Sequence, residues 1–138
     1  MPVILIAEDD GDVNAVIERL LTRAGHTVLA AFDGRSALTI ATAASPDLVL
    51  TDLDMPGMDG LQLCGAIRNI PQVADVPVAL LSGSLVHGDP RAAQVHACAA
   101  WLKPFTTAEL GAAVNTLHTI GRHRHVPPSV CPLAVVPA

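Results

Sequence analysis

Five short runs constrain the fold of this chain more than any other feature: Val3 to Ala7, Thr27 to Ala31, Asp47 to Thr51, Val76 to Leu81 and Ala99 to Leu102. They are largely apolar, partly β-branched and too short for helices, as expected of strands buried on both faces. Between them lie longer segments with helical patterning. Val13, Val16, Ile17, Leu20 and Leu21 recur at i, i+3, i+4, i+7 and i+8, and Gly25 stands where a helix C-cap would put it. Weaker helical patterns run over Gly34 to Ala44, Leu61 to Asn69, Pro90 to Cys98 and Thr107 to Ile120. Asp89 before Pro90, and Thr106 with Glu109 three residues on, read as N-terminal caps. Strand and helix therefore alternate five times, a (βα)5 pattern that predicts an α/β fold with a doubly wound, five-stranded parallel sheet. Right-handed crossovers give such a doubly wound sheet; 2-1-3-4-5 is a common order for five strands, and with it the chemistry sits beyond the carboxyl ends of strands 1 and 3.

At 138 residues the chain suits one domain. Hydrophobic residues make up 51% of it and aromatics 2%, so the core must be aliphatic. Residues 121–138, from Gly121-Arg122-His123-Arg124-His125 into a Pro-interrupted end, cannot continue a helix or central strand, and are expected to be a flexible or surface-lying extension of a domain spanning 1–120.

The acids gather where that sheet would have its crevice. Of thirteen, Glu8, Asp9, Asp10 and Asp12 follow the first strand, and Asp52 and Asp54 follow the third. Asp10 and Asp12 suit helix capping and the first helical turn. Glu8, Asp9 and Asp52, at strand ends, would be pressed together, and like charges need a positive neutraliser. A hard divalent cation such as Mg²⁺ takes one or two carboxylates, keeps waters and completes its shell with a phosphate oxygen. Ser82 at the end of the fourth strand and Lys103, the only lysine, at the end of the fifth would face the same crevice. An oxygen-only acidic site with one lysine suggests Mg²⁺-assisted phosphoryl chemistry.

Four segments carry a resemblance: Ile4-Leu5-Ile6-Ala7-Glu8-Asp9-Asp10, Leu50-Thr51-Asp52-Leu53-Asp54-Met55-Pro56-Gly57-Met58-Asp59-Gly60, Leu80-Leu81-Ser82-Gly83 and Leu102-Lys103-Pro104-Phe105. Over about residues 3 to 120 they resemble, in order, the signature segments of response-regulator receiver domains of two-component signal transduction. The resemblance implies the flavodoxin-like, CheY-like sheet order. It implies that Asp52 is the phosphoacceptor, that Glu8 and Asp9 with Asp52 hold Mg²⁺, and that Asp54 lends the metal its backbone carbonyl. It implies further that Ser82 is the switch hydroxyl, that Lys103 binds the phosphoryl group, and that Asp54 and Ser84 flank the water that later attacks it. The Met55-Pro56-Gly57 segment reads as a tight turn.

By the same resemblance the donor is a sensor histidine kinase or histidine phosphotransfer protein. The output would be a changed surface on the fourth helix, fifth strand and fifth helix, read by a protein target or by a phosphorylation-dependent dimer. Such a chain catalyses its own phosphorylation and dephosphorylation and is not a turnover enzyme. Two departures bear on that surface. The place three residues before the lysine, commonly Tyr or Phe, is Ala100 with Trp101 beside it, and the interval from Ser82 to Lys103 is one residue shorter than usual.

The net charge of −5, with only eight Lys and Arg, argues against direct nucleic-acid binding. Cys64, Cys98 and Cys131 are odd in number and widely spaced, as in a reduced, cytoplasmic protein, and no apolar run nears the roughly 18 residues of a membrane span. Two other readings compete: a receiver fold that serves as an interaction module without phosphorylation, and a haloacid-dehalogenase-type phosphatase, suggested by Asp52-Leu53-Asp54. The latter wants an acid pair after the lysine, where this chain has only Glu109.

Overall fold

A computed structural model describes residues 3–53, 55–82, 99–102, 111–112 and 114–115. The described elements are β1 (Val3–Ala7), α1 (Gly11–Arg23), β2 (Thr27–Ala31), α2 (Gly34–Ala44), β3 (Leu48–Asp52), α3 (Gly60–Arg68), β4 (Val78–Ser82) and β5 (Ala99–Leu102). All adjacent strands pair in parallel, as the alternating pattern predicts, and the sheet order is β2-β1-β3-β4-β5, as the family resemblance implies. The helix predicted over 90–98 and the tail 121–138 lie outside the described residues; within the segment predicted helical over 107–120, residues 111, 112, 114 and 115 are helical.

Because side chains alternate along a strand, each central strand feeds two cores. Leu5, Ala7, Val49, Val78 and Leu80 pack with Ala37 and Ala41 of α2 and with α3 on one face. Ile4, Ile6, Leu48, Leu50 and Leu81 pack with Ile17 and Leu21 of α1 and with Val114 on the other. The helices after β1 and β3 therefore leave the sheet in opposite directions, which opens a crevice at the carboxyl ends of those two strands. Cys64 of α3 is buried in the first of these cores and packs there as a small side chain. Among the described residues no helix is long and apolar enough to cross a membrane.

The helix boundaries follow from local chemistry. Asp10 caps α1, its carboxylate accepting from the backbone N–H groups of Asp12 and Val13 at 3.0 and 3.3 Å. The helix ends in a Schellman arrangement: Gly25, at φ 98°, donates to Thr22 at 3.0 Å, and His26 donates to Leu21 at 3.1 Å. Asp59 caps α3 in a reciprocal box, receiving the Gln62 N–H at 2.8 Å while the Gln62 side chain receives the Asp59 N–H at 3.0 Å.

Two strands start later than their apolar runs suggest. Asp47 stands ahead of β3, its carboxylate accepting the Val3 N–H at 2.8 Å and its own N–H donating to the Val3 carbonyl at 2.7 Å. Val76 closes a turn by donating to Val73 at 3.1 Å, and Pro77 has no N–H, so β4 begins at Val78. The shift in β3 matters for the site: Asp52 is the last residue of the strand, in register with Leu81, rather than the first residue of the loop.

Candidate functional site

At the carboxyl edge of β1 and β3, one carboxylate oxygen from each of Glu8, Asp9 and Asp52 lies within 4.8 Å of the other two. Glu8 is 1% exposed and Asp52 6%, while Asp9 faces solvent. Two ionised carboxylates at this separation repel by on the order of 3 kcal/mol at an effective dielectric near 20, and by less where Asp9 meets water. A cluster of oxygen ligands that is two-thirds buried and wholly acidic matches the donor set of a hard divalent cation. The fold builds this cluster against its own electrostatics, so the residues fit such an ion.

Both walls of the cluster are held by backbone. The Glu8 N–H donates to the Ala31 carbonyl at the end of β2 at 3.1 Å, and the Leu53 N–H donates to Leu81 at 2.8 Å, extending the sheet one residue past Asp52. Thr51, fully buried, donates its hydroxyl to the Asp52 carbonyl at 3.0 Å. Gly60, the first residue of α3, donates to the Leu53 carbonyl at 2.9 Å. A Cβ on Gly60 would strike the Asp52 carbonyl oxygen and come within 2.9 Å of the Leu53 Cα. The start of α3 is thus pressed onto the backbone that carries Asp52, and only glycine allows that approach. Gly57, at φ 78°, makes the turn expected of Met55-Pro56-Gly57.

The structure brings together Glu8, Asp9 and Asp52 of the residues singled out in the sequence, and it assigns Asp10 and Asp12 to the helix start. Ser82 ends β4, in register with Leu102 of β5, so its backbone lies one position beyond Leu81, the register partner of Asp52. Asp54, Gly83, Ser84 and Lys103 lie outside the described residues, as do the side chains of Ala100 and Trp101.

One residue of this region escapes the sequence reading. Asn14 of α1 is 1% exposed and donates both side-chain N–H groups, to the Glu8 carbonyl at 3.1 Å and the Ala31 carbonyl at 3.0 Å. The core face of α1 is Asn14, Ile17 and Leu21, whereas Val16, expected to point inward, is 52% exposed. The available signal was the spacing of three and seven residues from Asn14 to Ile17 and Leu21, which a polar residue disguises.

Comparison with known proteins agrees with this architecture. Residues 4–115 match the response regulator receiver domain family. The transcriptional regulatory protein PrrA of Mycobacterium leprae is 42% identical over 119 residues, covering 84% of this chain and 49% of PrrA. The DNA-binding dual master transcriptional regulator RpaA of Synechocystis is 37% identical over 82 residues, 59% of this chain and 34% of RpaA. Among solved structures, the chemotaxis response regulator CheY4 of Vibrio cholerae superposes with a TM-score of 0.81 at 27% identity, over 85% of this chain and 98% of that one. The receiver domain of the sensor histidine kinase PA1611 of Pseudomonas aeruginosa, solved with a magnesium ion coordinated in its active site cleft, gives 0.79 at 28% identity, over 86% and 98%.

The chain spans about half the length of the curated relatives it matches. That corrects one expectation from composition, the absence of a nucleic-acid partner. PrrA is named a transcriptional regulator and RpaA a DNA-binding one, and a shortage of basic residues bears only on the surface of this segment, not on what a longer regulator touches. The same match removes support from the phosphatase reading and makes the chain a signalling domain rather than a turnover enzyme. Taken together, the sheet order, the acidic crevice and the family match show that the chain belongs to the response-regulator receiver domains of two-component systems.

Proposed function

We propose that this chain is a phosphoacceptor switch in which Asp52 takes a phosphoryl group from the histidine of a sensor kinase or phosphotransfer protein. The observation that carries the reading is the position of Asp52: nearly buried, at the end of a central strand, with the Glu8 and Asp9 carboxylates within 4.8 Å. A carboxylate so placed is a fixed nucleophile whose attack costs little reorganisation.

Glu8, Asp9 and Asp52, with the backbone carbonyl of Asp54, would hold Mg²⁺; the magnesium in the PA1611 receiver supports this choice of ion. When bound, the ion supplies positive charge that offsets the carboxylates and the developing charge on the phosphoryl oxygens. The chain's own residues do the rest. Asp52 forms the bond to phosphorus as the bond to the donor's imidazole nitrogen breaks. Lys103 pairs with one phosphoryl oxygen, the Gly83 backbone N–H donates to another, and Ser82 turns its hydroxyl toward a third. That added charge and those acceptor oxygens rearrange the loop after β4, and the signal leaves through the fourth-helix, β5 and fifth-helix surface. Asp54 and Ser84 set how long the phosphorylated state lasts.

We place the receiver in residues 1–120, with 121–138 as an extension, and the protein in the cytoplasm, where kinase and magnesium are available. By likeness to PrrA, the output is control of transcription. The test is incubation with Mg²⁺ and acetyl phosphate followed by intact-mass measurement. One phosphoryl adduct per chain, lost on chelation, is expected; the absence of any adduct with Mg²⁺ present would leave the chain an interaction module with a receiver fold.

A further inference from the structure

We infer that Asn14 is the positioning residue of the metal site: its side-chain amide clamps the Glu8–Asp9 peptide so that the exposed Asp9 is presented to the same ion as the two buried acids. This rests on the reading of Glu8, Asp9 and Asp52 as the Mg²⁺ carboxylates. Glu8 is the last residue held by the sheet edge, through its N–H on the Ala31 carbonyl, and Asp9 follows it on a bend, ahead of the Asp10 cap of α1. The peptide that joins Glu8 to Asp9 lies beyond Ala7, the last register residue of β1. Asn14 holds it, donating to the Glu8 carbonyl at 3.1 Å while anchored on the Ala31 carbonyl at 3.0 Å. The Ala31 carbonyl thereby receives both the Glu8 N–H and the Asn14 amide, and the two peptide groups flanking the Glu8 Cα are tied to one point at the end of β2.

Two features argue that this is more than packing. Asn14 occupies the core stripe of α1 with Ile17 and Leu21, where an apolar residue would bury surface without any desolvation cost. Its Oδ1 is buried without a hydrogen-bond partner among the described residues. Both acceptors are carbonyl oxygens, so the amide nitrogen must face them and the unpaired oxygen follows from that geometry. The helix bears this cost at a core position that reaches the Glu8 carbonyl.

The test is a Mg²⁺ titration of the whole chain followed by backbone amide shifts, on wild type, Asn14→Leu and Ile17→Val. The leucine keeps the volume and removes both donors; the valine thins the same helix face away from the clamp. Outer partners of metal ligands typically contribute ten- to hundredfold to affinity. Asn14→Leu is therefore expected to weaken Mg²⁺ binding about tenfold or more while Ile17→Val, though less stable, keeps the wild-type Kd. A fall in Tm for Asn14→Leu with its Kd within about twofold of wild type would overturn the inference. If Asn14→Leu does not fold, the wild type decides: the Asn14 side-chain amide protons should shift along the same isotherm as the Glu8 and Asp9 amides, and their failure to move while those titrate would overturn it. A wild type that binds no Mg²⁺ would instead remove the metal reading, and the clamp with it.

Discussion

Gly60 sits where the strand that ends at Asp52 and the helix that follows come closest, and a single methyl group there has nowhere to go. Its Cβ would meet the Asp52 carbonyl oxygen and the Leu53 Cα, both on backbone that the Leu53 N–H ties to Leu81. Gly60→Ala is expected to cost about 1–3 kcal/mol, the usual range for overpacking, and to slow phosphorylation by moving Asp52; an unchanged Tm in thermal unfolding would contradict the close approach. The three acids make a prediction of opposite sign. Asp9→Asn removes one of three crowded charges, so in chelator it should leave the chain at least as stable as wild type. With Mg²⁺ it should fail to gain the stabilisation that wild type shows, expected to reach about 2.7 kcal/mol when the ion is at a hundred times its Kd. Calorimetry with and without Mg²⁺ reads both. At this scale Glu8, Asp9 and Asp52 were legible because carboxylates at strand ends are conspicuous. Asn14 and Gly60 were not, since their roles depend on which backbone atoms the fold brings against them.

The elements are bounded by their caps, and the caps can be tested one at a time. Asp59→Ala breaks both halves of the box with Gln62 and should cost about 1 kcal/mol, with faster amide exchange confined at first to the start of α3; loss spread evenly over the sheet would argue against a local role. Asp33 caps α2, and the Ser36 backbone N–H, with the Ser36 hydroxyl behind it, holds its carboxyl below the ordinary aspartate range. A group whose pKa is lower in the folded state stabilises above its unfolded value and loses that contribution as pH falls through the folded one. The Tm advantage of wild type over Asp33→Asn should therefore be present at about pH 6 and shrink below about pH 4; a difference independent of pH would show that the charge plays no part. Apolar runs and periodicity gave β1, β2, α2 and β5 their observed limits. They missed the starts of β3 and β4 because an aspartate holding the Val3 N–H and a proline without one end a ladder without interrupting the apolar run. The phase of α1 was misread at Val16 because one buried polar residue looks, in sequence, like part of the solvent face.

For the whole molecule, the alternation of strand and helix was enough to predict a parallel, doubly wound sheet, while the strand order observed is the one the family resemblance implies. The crevice then follows from helices leaving β1 and β3 on opposite faces, which the two core clusters display. What composition could not reach was the partner: charge describes a surface, and the longer relatives have surfaces outside the part that this chain matches. The central claim is that this fold holds one nearly buried carboxylate, Asp52, as the acceptor of a phosphoryl group. It is tested most directly by phosphorylating the chain with acetyl phosphate and Mg²⁺, reducing the acyl phosphate with borohydride, and mapping the product by peptide mass. Reduction turns a phosphorylated aspartate into homoserine, so the account predicts homoserine at position 52 and nowhere else; homoserine at another aspartate, or its appearance in Asp52→Asn, would contradict it.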